Sequence, residues 1–128
     1  MKVLLDTHLL LWLAIDSGQI SRQARDIVED ESNDLVFSTA SIWEIAIKAS
    51  LKRAEFAIDP RILRRELLDN GYEELPIASR HALAILELPR LHGDPFDRLL
   101  VAQAMVEGLV LVTADDLLGR YPGPILKV

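Results

Sequence analysis

The sequence predicts an α/β chain, a three-layer α/β/α fold around a central parallel sheet, on three observations. Short apolar runs at residues 2–5, 35–37 and 109–113 lack the polar alternation of a half-solvated strand, so burial on both faces is expected. Between them lie helix-length segments with their own start and stop signals, the alternation that parallel strands require. The composition agrees: of 128 residues 50% are hydrophobic but only 5% aromatic, which suits an aliphatic helix-and-sheet core better than an all-β sandwich. That length and that apolar content fit a single domain over residues 1–128.

The elements follow in order. Residues 2–5 form a strand that ends at Asp6, and residues 7–15 a helix closed by the turn Asp16-Ser17-Gly18. Ser21 is an N-cap for a helix over 22–31 whose Ala24, Ile27 and Val28 share a face. After the strand at 35–37, Ser38 or Thr39 caps a helix to residue 51, with Ile42, Ile45, Ala46 and Ala49 as its buried stripe. Pro60 opens a further helix, because its missing N–H would be unpaired there in any case, and Asn70-Gly71 ends it. Residues 72–77 read as a strand weakened by Pro76, 79–86 as a short helix and 88–93 as a loop. A long helix over 95–107 stops at Gly108, the strand at 109–113 follows, and a last strand at 125–128 comes after Pro122-Gly123-Pro124.

Cysteine is absent, which excludes disulfides and thiolate metal sites. The apolar run at 9–15 is too short to cross a bilayer and no basic stretch precedes it, so a cytoplasmic protein with no membrane partner is expected. The net charge of -6 opposes simple attraction to a polyphosphate. Either the negative charge is concentrated in a site that cations neutralise, leaving Arg and Lys elsewhere for phosphate, or the partner is not a nucleic acid.

Asp6, Glu44, Asp97 and Asp115 stand where strands or loops turn into helices. In a parallel sheet ligands bind beyond the carboxyl ends of the strands, so residues far apart in sequence can meet there. Carboxylates crowded together repel one another, and a hard cation such as Mg2+ or Mn2+ relieves that cost. Phosphodiester hydrolysis needs an activated water, a Lewis acid on the phosphoryl oxygen and a stabilised leaving alkoxide, all within reach of such a site. Each acid also has a structural explanation. Ser41-x-x-Glu44 matches a capping box, and Glu44 could pair with Lys48 on a solvated face. Asp94 is an N-cap before Pro95, Asp97 gains from the helix dipole, and Asp115-Asp116 can cap a helical turn. Asp6 is the hardest to explain away, because it follows a buried strand directly.

Other groups carry less. His8 either contacts substrate or starts a helix, His81 reads as a partly buried structural residue, and His92 as a solvent-exposed loop residue. Trp12 and Trp43 occupy apolar helical positions and read as core or interface rather than base-stacking groups. Lys48, Lys52, Arg53, Arg61, Arg64 and Arg65 read mainly as solvated helix faces, with RNA-backbone binding as the other option. Arg98 suits either a phosphate contact or an ion pair with its neighbour.

Four segments in this order resemble the PIN-domain ribonucleases of the VapC toxin type: Leu4-Leu5-Asp6-Thr7, Ser41-Ile42-Trp43-Glu44, the stretch from His92-Gly93-Asp94-Pro95-Phe96-Asp97-Arg98 to Ala104, and Leu111-Val112-Thr113-Ala114-Asp115. The third is the most specific. The resemblance implies a PIN-like fold and a Mg2+- or Mn2+-dependent endoribonuclease acting on an RNA substrate, a toxin held inactive by a cognate antitoxin. By position it implies that Asp6, Glu44 and Asp97 are the core acidic residues and Asp115 a more variable fourth, with Asp116 and Asp94 beside them. It also places Thr7 and Thr113 near the site, and makes the apolar helices with Trp12 and Trp43 candidate surfaces for a homodimer or for antitoxin docking. A non-catalytic metal-binding interaction module of the same fold is the alternative. A receiver-like domain would want adjacent acids after the first strand, and an aspartyl phosphatase a second aspartate where His8 stands.

Overall fold

The computed structural model describes residues 1–128. Its strands are β1 (Lys2–Leu5), β2 (Asp34–Ser38), β3 (Glu73–Leu75), β4 (Val110–Thr113) and β5 (Ile125–Lys127). They form one five-stranded sheet in the order β3-β2-β1-β4-β5, with every pairing parallel. The helices are α1 (Thr7–Ala14), α2 (Arg22–Glu29), α3 (Thr39–Ser50), α4 (Pro60–Asp69), α5 (Ser79–Ala84) and α6 (Pro95–Glu107). This is the predicted α/β architecture.

The period of two in β1 divides the core. Val3 and Leu5 face a cluster built with Leu9 and Leu10 of α1, Ala24 of α2, and Leu63 and Leu67 of α4. Leu4 faces the other side, with Val36, Leu111 and the α6 residues Leu100, Val101 and Ala104. All three β1 residues are essentially inaccessible, which is why the strand reads as an unbroken apolar run. Helix α3 contributes Ile45 to the first cluster and Ala40 to the second.

The chain winds outward from β1 to β2 and β3, then returns to place β4 on the other side of β1. The reversal makes the gap between the carboxyl ends of β1 and β4 the switch point where such sheets bind ligands. Leu5 is paired with Val112, so the segments that carry Asp6 and Asp115 leave the sheet side by side.

The structure departs from the sequence reading in places with local causes. The third strand contracts to Glu73–Leu75, since Pro76 has no N–H to donate. The helix expected to residue 86 ends at Ala84 in a 3-10 turn, Ile85–Glu87, and two more such turns, Ala54–Phe56 and Leu118–Arg120, are additions. In α3 the buried residues are Ala40, Ser41, Glu44 and Ile45; Ala46 is exposed, and Trp43 is 53% exposed rather than core. No helix is long and apolar enough to cross a membrane.

Candidate functional site

Asp6 sits at the junction of β1 and α1, buried to 4% exposure. Its backbone N–H still donates to Val112 O, continuing the sheet, while Oδ1 accepts from the Leu9 N–H (2.9 Å) and caps α1. Oδ2 accepts from the Thr113 hydroxyl, whose Oγ1 accepts in turn from the Asp115 N–H (3.0 Å). Burial pushes the Asp6 carboxyl above its ordinary pKa, against these hydrogen bonds.

Glu44 lies one turn into α3 at 2% exposure. Lys48, one turn on, reaches its Oε2 at 2.6 Å, and both side chains are largely removed from solvent, so the pair is not on a solvated face. Oε1 is buried with no hydrogen-bond partner. Two oxygens of one carboxylate therefore differ: one is neutralised, and the other is an uncommitted acceptor in a dry place. The capping-box reading of Ser41 fails as well. Ser38 caps α3 through the Ala40 N–H (3.0 Å), and the Ser41 hydroxyl accepts from Thr7 Oγ1 (2.9 Å), tying the start of α1 to α3. Thr7 thus gives its one hydroxyl proton to Ser41.

Asp97 stands in the first turn of α6. Its pKa is pushed up to about 8, by burial first and then by Asp94, Glu44, Asp6 and Asp115. The three other predicted acids are near enough for their charge to raise it, and Asp115 lies within cation-sharing distance of it. Asp94 has the structural role its position suggested, accepting from the Phe96 (2.8 Å) and Asp97 (3.1 Å) N–H groups. Asp115 does cap a turn, its Oδ1 accepting from the Leu117 and Leu118 N–H groups, while its Oδ2 faces His92 Nε2 at 3.5 Å. Burial opposes its ionisation, but those N–H groups and His92 outweigh burial and hold its pKa below the ordinary value. Asp116 lies outside, 84% exposed and paired with Lys127.

His92 is the residue the sequence reading misplaced. Its side chain is only 14% exposed, and Nε2 lies 3.2 Å from Asp97 Oδ2 and 3.5 Å from Asp115 Oδ2. The loop is held by the His92 N–H donating to the Tyr121 hydroxyl (3.0 Å), while His92 Nδ1 accepts from the Asp94 N–H (3.1 Å). With Nδ1 accepting, the ring proton is on Nε2, directed at the two carboxylates. The available signal was its place two residues before an N-cap, which anchors the ring by a local bond.

One atom each from His92, Asp97 and Asp115 falls within 4.8 Å of the others, so the two carboxylates are close enough to share a cation while the Nε2–H of His92 remains their donor. Oxygen-rich donors, an orphaned Glu44 oxygen and an Asp97 that burial and then the neighbouring acids push toward its neutral form fit a hard divalent ion. Arg98 makes no ion pair with Asp97: one Nη of its guanidinium donates to Ile85 O (3.4 Å), and its Nε is buried without a partner. Several basic residues expected on solvated faces are ion-paired there, Arg61 with Asp59 and Arg64 with Glu74.

A parallel sheet with acidic residues gathered at its switch point defines a class, and the chain belongs to it: the PIN domain family model matches residues 3–124. Among particular proteins, it is 32% identical over 126 residues to ribonuclease VapC22 of Mycobacterium tuberculosis, spanning 96% of this chain and 95% of that protein. In solved structures it shares its fold with VapBC2 from Rickettsia felis bound to a DNA fragment from their promoter. There the TM-score is 0.73 at 14% identity, over 100% of this chain and 99% of that one. DNA-bound VapBC from Salmonella typhimurium gives 0.67 at 18% identity, over 99% and 98%.

Proposed function

We propose that this chain is a metal-dependent endoribonuclease that serves as the toxin of a toxin–antitoxin pair. The observation that supports the reading is that Asp97 and Asp115 lie within cation-sharing distance, with Asp6 tied to Asp115 through Thr113 and with Asp6 and Glu44 near enough to raise the Asp97 pKa. The family match and the likeness to a protein named a ribonuclease support it.

In this reading Asp6, Glu44 and Asp97 hold Mg2+ or Mn2+, with Asp115 supporting. When bound, the ion supplies Lewis acidity toward a phosphoryl oxygen and activates water as nucleophile. The protein's own contribution is orientation. The Thr113 hydroxyl fixes Asp6 and, through the Asp115 N–H, sets the spacing between two of the acids. Lys48 holds Oε2 of Glu44, leaving Oε1 for the ion, and His92 Nε2–H keeps Asp97 and Asp115 from drifting apart.

The antitoxin or a second copy of the chain is assigned to α3. Trp43, Ile47 and Leu51 are 53%, 36% and 66% exposed at successive turns, an apolar stripe on the outer face of a helix whose inner face carries Glu44. One observation favours the non-catalytic module: the net charge is -6 and part of the basic set is already ion-paired, which weakens the attraction for RNA.

Cleavage of total RNA and purified tRNA, with magnesium or manganese and beside a chelator, decides between them. Discrete fragments that require the metal and disappear in Asp6→Asn, by at least about 100-fold in rate, are the expected result. An Asp6→Asn protein that cleaves like the parent overturns the assignment, and a parent that binds metal without cleaving any RNA favours the module.

A further inference from the structure

We propose that a groove beside the acidic cluster, between α1 and the segment after β4, is a stacking subsite for one nucleobase of a single-stranded RNA. The inference rests on the nuclease reading for the identity of the strand. The groove has a volume of about 200 Å3 and is lined by Asp6, His8, Trp12, Ala114 and Asp115. It suits a single flat ring and is too small for a folded chain.

Its position follows from α1 itself. Asp6 caps the helix, His8 lies in its first turn, and Trp12 is four residues further along the same face. At a rise of about 1.5 Å per residue, the ring of Trp12 lies within roughly 10 Å along the axis of the carboxylate that caps the helix. A nucleotide whose phosphate sits at the acids therefore projects its base along this face.

The walls are fixed before any ligand arrives. Trp12 is half-buried, packed against the core cluster of Leu9, Leu10 and Ile45, so its indole cannot turn freely. His8 stands 6.1 Å from it at an interplanar angle of 56°, and its other side meets the edge of Phe56 at 5.8 Å. Phe56, in the 3-10 turn Ala54–Phe56, is wholly buried and carries Lys48 Nζ over its ring at 4.9 Å. A chain of rings thus leads from the Glu44–Lys48 pair to the groove, and holding one wall in place requires no further ordering.

The charge pattern selects what enters. Asp6 and Asp115 are among the residues that line the groove, so an anionic group is disfavoured within it, whereas a neutral base keeps its own phosphate outside at the cation. Stacking on an aromatic face is tolerant of sequence, which makes the subsite a source of affinity and register more than of base identity.

The chain has two tryptophans, so Trp43→Phe leaves Trp12 as the sole indole reporter. That protein is titrated in magnesium with a single-stranded pentanucleotide RNA, and with the same strand carrying abasic residues, and emission is read within seconds of mixing. Saturable quenching by the RNA, lost with the abasic strand, is expected. In parallel Trp12→Leu lowers kcat/KM on the RNA by about 5- to 150-fold, mainly through KM, yet matches the parent on the abasic strand. Trp12→Phe, which keeps a ring, retains most of the parent value, and a normal melting curve for Trp12→Leu excludes misfolding as the cause of its loss. No quenching at saturating RNA, or an equal Trp12→Leu penalty on both strands, overturns the proposal. An active parent with unquenched Trp12 discards the subsite alone, whereas quenching in a parent that cleaves nothing supports the subsite and counts against the nuclease.

Discussion

Asp97 concentrates the tension of the site in one carboxyl. Its pKa in the folded protein is about 8, against an ordinary carboxylate value of 3.8 when unfolded. A raised folded pKa means that the folded state holds the proton more tightly; the stabilisation is complete below about pH 4 and is lost as pH rises through 8. The metal-free protein should therefore melt progressively lower across that window. Asp97→Asn, which never ionises, should flatten the loss and raise Tm at pH 8 by on the order of 5–10 °C, while removing the response to magnesium. Differential scanning calorimetry at pH 5 and pH 8, with and without the ion, reads both. Glu44 gives the complementary case. Lys48→Met leaves a buried carboxylate unpaired and should cost about 3 kcal/mol in chemical denaturation, with a second change, Glu44→Gln, recovering most of it. Asp6, Asp97 and Asp115 stood out as candidates because each follows a strand or opens a helix, and Glu44 because it lies in the helix that follows β2. His92 did not, since enclosure by Tyr121 depends on a contact 29 residues away.

At the level of elements, the helix starts were the most legible features because they are chemical and local. Asp59-Pro60 and Asp94-Pro95 both place a carboxylate on the first free N–H groups with proline just inside. The end of α6 is equally plain: Gly108 adopts φ 69°, and a Cβ there would meet no neighbouring atom, so the cost of any other residue lies in the backbone. Gly108→Ala should destabilise by about 1 kcal/mol without altering RNA cleavage, which separates fold from site in a urea titration paired with the activity assay. Three-residue 3-10 turns escaped the reading because they hold too few residues to show a period. The inner face of α3 escaped it for a different reason. Polar Ser41 and Glu44 are buried there, so the apolar pattern pointed to Ala46, which faces solvent. Where α6 crosses beneath the site, Gln103 accepts from Ser38 Oγ (2.5 Å), a buried bond that joins the end of β2 to this helix. No periodicity argument finds such a partner.

For the molecule as a whole, strand order was the information that the sequence withheld, and it determines which junctions meet. The parallel sheet followed from the apolar runs, but the reversal between β1 and β4 did not, because nothing local distinguishes an inner strand from its neighbour. That reversal gathers acids from opposite ends of the chain in a molecule already at a net charge of -6. Divalent ions should therefore stabilise it out of proportion to ionic strength. Magnesium at 100 times its Kd should add about 2.7 kcal/mol, a rise in Tm of roughly 10 °C, and sodium chloride of equal ionic strength should add far less. The double duty of Asp6, which both caps α1 and joins the acidic cluster, reaches beyond the single molecule. Asparagine caps a helix as well as aspartate, and one nucleotide change converts the aspartate codon to it. A lineage under pressure to disarm this gene thus has a one-step route to a copy that folds, keeps its outer apolar stripe and still sequesters whatever protein binds there. Alanine at the same position would loosen the helix as well as the site. Among silenced copies, those that persist as folded decoys should carry asparagine at position 6.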